Sequence, residues 1–113
     1  MHEVGIMQSA LEAAQDAAKA SGATQIHMLR LRVGAMTGVV REALEFAFEV
    51  ARAGTMAESA RLEIENVPAG YWCGGCQSEF EPPQFDYECP RCGQPSAEIR
   101  HGLELEVASL ELS

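Results

Sequence analysis

Four cysteines pose the first chemical question in this chain of 113 residues. Cys73-Gly-Gly-Cys76 and Cys89-Pro-Arg-Cys92 are two C-x-x-C pairs separated by twelve residues. A tight turn brings both sulfurs of a pair to one side, and a hairpin in the spacer opposes the two turns. Four thiolates then close a tetrahedron, a geometry Zn²⁺ accepts without strain. With sulfur at every position no site is left for water, so the zinc expected here is structural, not catalytic. Gly93 permits a positive φ where the chain leaves the second pair, and Pro90 stiffens that turn. Two disulfides, an iron–sulfur cluster or a redox C-x-x-C are the competing readings. The last of these normally sits at a helix start beside a strand, not among prolines.

His2 is the second chemical feature. A histidine at position 2 can offer its imidazole, its own backbone nitrogen and the α-amino group of Met1 in adjoining chelate rings. Glu3 adds a further backbone nitrogen or its carboxylate. Such nitrogen-rich, near-planar coordination suits Ni²⁺ or Cu²⁺ better than Zn²⁺. The plain alternative is a solvated terminal residue. His27 falls on the inward row of a strand and reads as a packed or edge residue. His101 lies where the cysteine-bearing segment ends, placed to act as a hinge or to approach the chain start. Met28, Met36 and Met56 are scattered and read as packing.

These groups must be held by a small framework. Met7, Leu11, Ala14 and Ala18 follow the spacing of one helical face within Glu3–Ala20, and Ser21-Gly22 supplies the stop. Ile26 to Val33 alternates, with His27, Leu29, Leu31 and Val33 on one side and Arg30 and Arg32 on the other, as in a half-buried strand. From Val39 to Ala53 one apolar row runs Val40, Leu44, Ala47, Ala51 and a second runs Val39, Ala43, Phe46, Val50. A helix apolar over so wide an arc is either sandwiched or carries a protein contact. Arg61 to Val67 is a second strand with Leu62 and Ile64 inward. Leu103 to Leu112 is a third, inward at Leu103, Leu105 and Val107 and then shifted in parity to Leu110 and Leu112, the mark of a bulge.

Between these strands, residues 68–102 hold all four cysteines and all five prolines. That segment is too poor in aliphatic residues for a core of its own and needs a staple. Tyr71, Trp72, Phe80, Phe85 and Tyr87 supply its few apolar contacts. The expected fold is therefore α+β: a small three-stranded sheet carrying two helices, formed by 1–67 and 103–113, with a four-cysteine zinc-ribbon unit, 68–102, inserted before the last strand.

Charge narrows the partners. The net charge is −9, spread along the chain without a basic stripe to neutralise phosphates, so neither nucleic acid nor an anionic membrane is an expected partner. No apolar run is long enough to span a bilayer. The start lacks the basic flank and apolar core of a secretory signal, which points to the cytoplasm, where cysteines serve as metal ligands more often than as disulfides. There is no Ser/His/Asp set and no phosphate-cradling glycine loop, so no enzyme activity is expected.

Several segments together resemble one family. They are the opening Met1-His2-Glu3, the run Val33-Gly34-Ala35-Met36-Thr37-Gly38-Val39-Val40, the stretch from Glu42 to Glu49 on through Ala53-Gly54-Thr55, the twin C-x-x-C pairs and the Gly-Leu-Glu-Leu-Glu that follows them. In combination they resemble the HypA/HybF-type hydrogenase nickel-incorporation proteins over essentially the whole chain. The resemblance implies a nickel metallochaperone for [NiFe]-hydrogenase maturation, working with a nickel-handling GTPase and the hydrogenase large-subunit precursor, as a monomer or weak homodimer. It implies transient Ni²⁺ at His2, the Met1 amine and Glu3, and structural Zn²⁺ at Cys73, Cys76, Cys89 and Cys92. Some members carry histidines beside the cysteines and some serve urease; here no histidine falls between Cys73 and Cys92. The alternative reading is a zinc-ribbon interaction module without a nickel function.

Overall fold

The computed structural model describes residues 3–81, 88–96 and 98–113. Helix α1 spans Glu3–Ala20 and buries Met7, Leu11, Ala14 and Ala18, the row given by its periodicity. Its end is tied off by backbone bonds from Gly22 to Lys19 and from Ala23 to Ala18, with Gly22 at φ 82°. Only a residue free of Cβ crowding adopts that turn cheaply. Strand β1, Ile26–Gly34, follows; α2, Arg41–Ala51, crosses back over the sheet; and β2, Arg61–Val67, pairs parallel to β1. A parallel pair requires such a crossover. Strand β6, Leu105–Leu112, adds antiparallel to the other edge of β1, giving the order β2-β1-β6.

Both helices lie on one face of this sheet. Their core contains Met7, Leu11, Ile26, Leu29, Leu31, Leu44 and Phe48, with Leu62, Ile64, Val107, Leu110 and Leu112 packed against it. Each fully buried side chain of this kind contributes roughly 2 kcal/mol, so this half of the molecule folds on hydrophobic burial. The bulge expected in the last strand is present: Arg30 faces Ser109 but Leu31 faces Val107, leaving Ala108 as the extra residue.

Three sequence expectations are corrected. His27 is exposed and its Nε2 lies 2.7 Å from Ser113 Oγ. A register shift between Ile26 and Met28 turns Ile26 into the core instead. Leu103 and Leu105 are exposed, since β6 pairs only from Leu105 onward and Leu105 borders an open groove along α1. Neither apolar row read across 39–53 keeps to one side: Val40 of the first is exposed and Val39 of the second packs against the core, while Phe46 is 71% and Val50 63% exposed. Arg52, just past the end of α2, lies over the ring of Phe48 and donates to the Ala60 carbonyl at 2.6 Å.

The outer face of the sheet carries ion pairs between strands. Arg32 joins Glu65 on β2 to Glu106 on β6, at 2.6 and 2.8 Å. Arg61 reaches Glu111 at 3.2 Å, and both flank Met28, which is buried.

Candidate metal centre

Between β2 and β6 the chain builds a second sheet, β4-β3-β5, from β3 (Gly70–Cys73), β4 (Ser78–Phe80) and β5 (Ile99–His101). Its apolar contents are small: Tyr71, Cys73, Phe80 and Cys89 are buried, with Met36, Ala69 and Cys76 against them. The rings of Tyr71 and Phe80 lie 5.8 Å apart. Arg100 stacks over Trp72 at 4.6 Å. Phe85, Asp86 and Tyr87 lie outside the described residues.

Each cysteine pair sits on a turn of one design. Cys73 ends β3, and the chain doubles back to β4 through Gly74, Gly75, Cys76 and Gln77. The residue after the second cysteine takes the left-handed conformation in both turns: Gln77 at φ 54° and Gly93 at φ 75°. Gly93 was expected there. Gln77 was not, although its matching position after a C-x-x-C carried the signal. The Gln77 amide offsets the cost by donating to the Gly74 carbonyl at 2.7 Å. The second turn is closed by Gly93 N–H to Cys89 O at 2.8 Å and Cys89 N–H to Gln94 O at 2.9 Å.

All four sulfurs lie within 4.8 Å of one another. Cys73 Sγ is 3.5 Å from Cys92 Sγ, and Cys76 Sγ is 3.9 Å from Cys89 Sγ. A tetrahedron with Zn–S bonds of 2.3 Å has edges of about 3.8 Å, so the cluster has the size of a four-thiolate metal site. These separations are far beyond the length of a disulfide bond. The backbone N–H groups of Cys92 and Arg91 hold the Cys89 thiol down at about 6. The Cys76 thiol is pushed up to about 12 by hydrogen bonding with Cys92 and by burial. Four thiolates this close cannot all carry charge without a cation among them, and a dication resolves that conflict.

The residues expected at the nickel site fare differently. Met1 and His2 lie outside the described residues. Glu3 opens α1, and its Oε2 accepts the Val40 N–H at 3.1 Å. His101 is exposed between two carboxylates, with Nε2 3.3 Å from Glu79 and Nδ1 3.7 Å from Glu104. Among the described residues, the four cysteines are the group of ligand-bearing side chains placed to hold a metal ion, and no helix is long and apolar enough to cross a membrane.

A family described as "Hydrogenase/urease nickel incorporation, metallochaperone, hypA" matches residues 1–112. The chain belongs to the HypA family. Its members are metallochaperones, carriers and not catalysts. The hydrogenase maturation factor HypA of Picosynechococcus sp. is 48% identical over 112 residues, covering 99% of both chains. That of Roseiflexus sp. is 45% identical over 98% of this chain and 91% of its own. Among solved structures, the Ni metallochaperone HypA from Helicobacter pylori superposes with a TM-score of 0.72 at 26% identity, covering 99% of this chain and 97% of that one. The four-cysteine cluster thus sits in a HypA chain matched nearly end to end.

Proposed function

We propose that this HypA protein carries Ni²⁺ for [NiFe]-hydrogenase maturation, binding it at the chain start, while Zn²⁺ at Cys73, Cys76, Cys89 and Cys92 is structural. The observation that carries the reading is the family match beginning at residue 1, so that it includes Met1-His2-Glu3 as well as the cysteine cluster. Nickel is the cargo: the Met1 amine, the His2 imidazole and backbone nitrogen, and Glu3 are its proposed donors. A site of few ligands that protons can displace suits a carrier that must release its metal. Imidazole protonates near pH ~6.5 and an α-amine near ~8, so binding weakens in mild acid.

Zinc would supply no chemistry beyond cross-linking two turns that have little core between them. We assign 1–67 and 103–113 to the nickel-binding unit and 68–102 to the zinc-binding unit. The partners are a nickel-handling GTPase and the hydrogenase large-subunit precursor, and the compartment is the cytoplasm. The exposed row of α2 is the contact assigned to the GTPase. Phe46 stands there among Glu42, Glu45 and Glu49, a surface suited to an apolar pocket with a basic rim.

The test is a nickel titration of the untagged chain beside a version extended by two residues ahead of Met1. The native chain should bind Ni²⁺, and the extended chain, having lost the amine as a ligand, should bind it far more weakly while keeping its zinc. Equal binding by both would reject the N-terminal site. A blank titration of the native chain would favour a zinc-ribbon interaction module.

A further inference from the structure

We propose that the free edge of β6, with the groove beside it under α1, receives an extended segment of a partner protein that alternates apolar and basic residues. The proposal is independent of where nickel binds and uses a different surface from the Phe46 face of α2.

The first half of the argument concerns the edge. In the order β2-β1-β6, the far side of β6 pairs with no strand among the described residues. Gly34 N–H donates to Glu104 O at 2.7 Å, while Val33 pairs with Leu105 and Leu31 with Val107. Hydrogen-bonding direction alternates along an antiparallel strand, so the backbone of Glu106 bonds β1 and the N–H groups of Leu105 and Val107 point away from it. A protein that must keep such an edge closed blunts it with lysine or proline, or covers it. Leu105–Leu112 contains neither residue, and its bulge begins only at Ala108.

The second half concerns what the edge can take. Leu105 and Val107 face Gly5, Ser9, Ala10 and Ala13 of α1 across a groove of about 540 Å³. These helix residues are small, and a Cβ on Gly5 would meet nothing within 4 Å. A strand added to the edge sets the side chains opposite Leu105 and Val107 on this same face, in the groove, and the side chain between them beside Glu106 on the other face. Charge selects the occupant. Arg32 holds Glu106 Oε1 at 2.8 Å, and that carboxylate, 53% exposed, has a second oxygen to offer. Glu12 and Asp16, neighbours of Ser9 and Ala13 on the helix surface, are exposed, and no lysine or arginine lines the groove. A second copy fits badly. Two β6 edges related by a twofold axis, with Leu105 opposite Val107, set Glu106 against its own copy, and like charges directly opposite repel. A segment reading apolar, basic, apolar satisfies the N–H groups, the groove and the carboxylate together, by strand addition.

The test uses the isotope-labelled, zinc-loaded full chain and the peptide acetyl-Lys-Val-Lys-Val-Lys-amide, followed by amide resonances. A control, acetyl-Val-Val-Lys-Lys-Lys-amide, has the same composition without the alternation. The alternating peptide should shift the Leu105 and Val107 N–H resonances and slow their hydrogen exchange, and the control should not. Ala13→Trp fills the groove from an exposed position and should abolish the shifts. Leu105→Pro removes an edge N–H that β1 does not use and should abolish the shift at Val107. Glu106→Lys should weaken the peptide about two- to fivefold, the strength of one cross-strand charge pair, and favour acetyl-Glu-Val-Glu-Val-Glu-amide instead. Unmoved Leu105 and Val107 resonances at millimolar peptide, equal shifts by the control, or native binding by any of the three variants would each overturn the proposal. Movement of both resonances with protein concentration alone would assign the edge to a second copy and overturn it as well.

Discussion

Gly34 and Gly102 meet backbone to backbone: a Cβ on Gly34 would lie 2.1 Å from both the carbonyl carbon and the carbonyl oxygen of Gly102. Here the end of β1 crosses the exit from the cysteine unit, and three backbone bonds clamp the crossing. Gly34 N–H donates to Glu104 O at 2.7 Å, Met36 N–H to Gly102 O at 2.8 Å, and Ala35 N–H to Val67 O at 2.8 Å. The neighbours of the missing Cβ are main chain and cannot rotate away. Gly34→Ala should therefore lower stability by about 2 kcal/mol or more, because the clash can be relieved only by parting the crossing. Urea unfolding of the zinc-loaded protein measures it, and an unchanged midpoint would show that the crossing is loose.

Periodicity made the helical rows and the strands legible, because Met7, Leu11, Ala14 and Ala18 can share a face only in a helix. It could not say which residues of the two apolar rows on α2 meet the core; Leu44, Ala47 and Val39 do, and Val40, Phe46 and Val50 are left outside. His27 was misplaced because the register shift beside it inverts the side-chain alternation, and no single-sequence pattern marks such a shift at a strand end. The cysteine cluster was legible because its spacing is itself the chemistry. The role of Met36 and the bond from Glu3 to Val40 were not, since one residue in a loop has no period and a contact across 37 positions leaves no local trace.

Glu104 gives the crossing a pH dependence. Its carboxyl is held below the ordinary 4.5 because its own backbone N–H and that of Gly102 donate to it, the latter at 2.7 Å. A carboxylate whose folded pKa is depressed adds stability that is present above the unfolded value. That stability is lost as pH falls through the lower folded value. Glu63, lowered by hydrogen bonds from Arg30 and Arg61, acts in the same direction. Melting temperature should fall as pH drops below about 4.5, and Glu104→Gln should flatten that fall. A variant with the native slope would remove Glu104 from the account.

The proposed GTPase contact at the exposed end of α2, Phe46 and Val50, makes a prediction of its own. Phe46→Ser deletes a side chain that is 71% exposed and outside the buried core, so the fold should survive. Loss of an aromatic anchor commonly weakens a complex by about tenfold or more. Because Glu42, Glu45 and Glu49 surround it, association should also weaken with added salt. Affinity measured at low and high salt with the cognate GTPase checks both points. Native affinity in Phe46→Ser would place the contact elsewhere on the molecule.

Zinc should be read most directly through Met36. Its side chain leaves the β1–α2 loop and packs against the cluster of Tyr71, Cys73, Phe80 and Cys89, whereas Met7 is buried in the separate core beneath the helices. The purified chain should carry about one Zn²⁺, and Cys73→Ser or Cys92→Ser should release it, since a four-thiolate site tolerates the loss of a ligand poorly. Without the ion, the 3.5 Å contact between Cys73 and Cys92 becomes a contact of two like groups with nothing to hold them. The turns then part, and the small core around them loosens. In protein labelled at methionine methyls, chelation of zinc should shift or broaden the Met36 resonance and leave that of Met7 in place, because burial alone sustains the first core. Re-addition of Zn²⁺ should restore Met36. A Met36 signal indifferent to zinc would show that the loop leading to Val40 does not sense the metal centre. An equal response from Met7 would show instead that the two cores unfold as one.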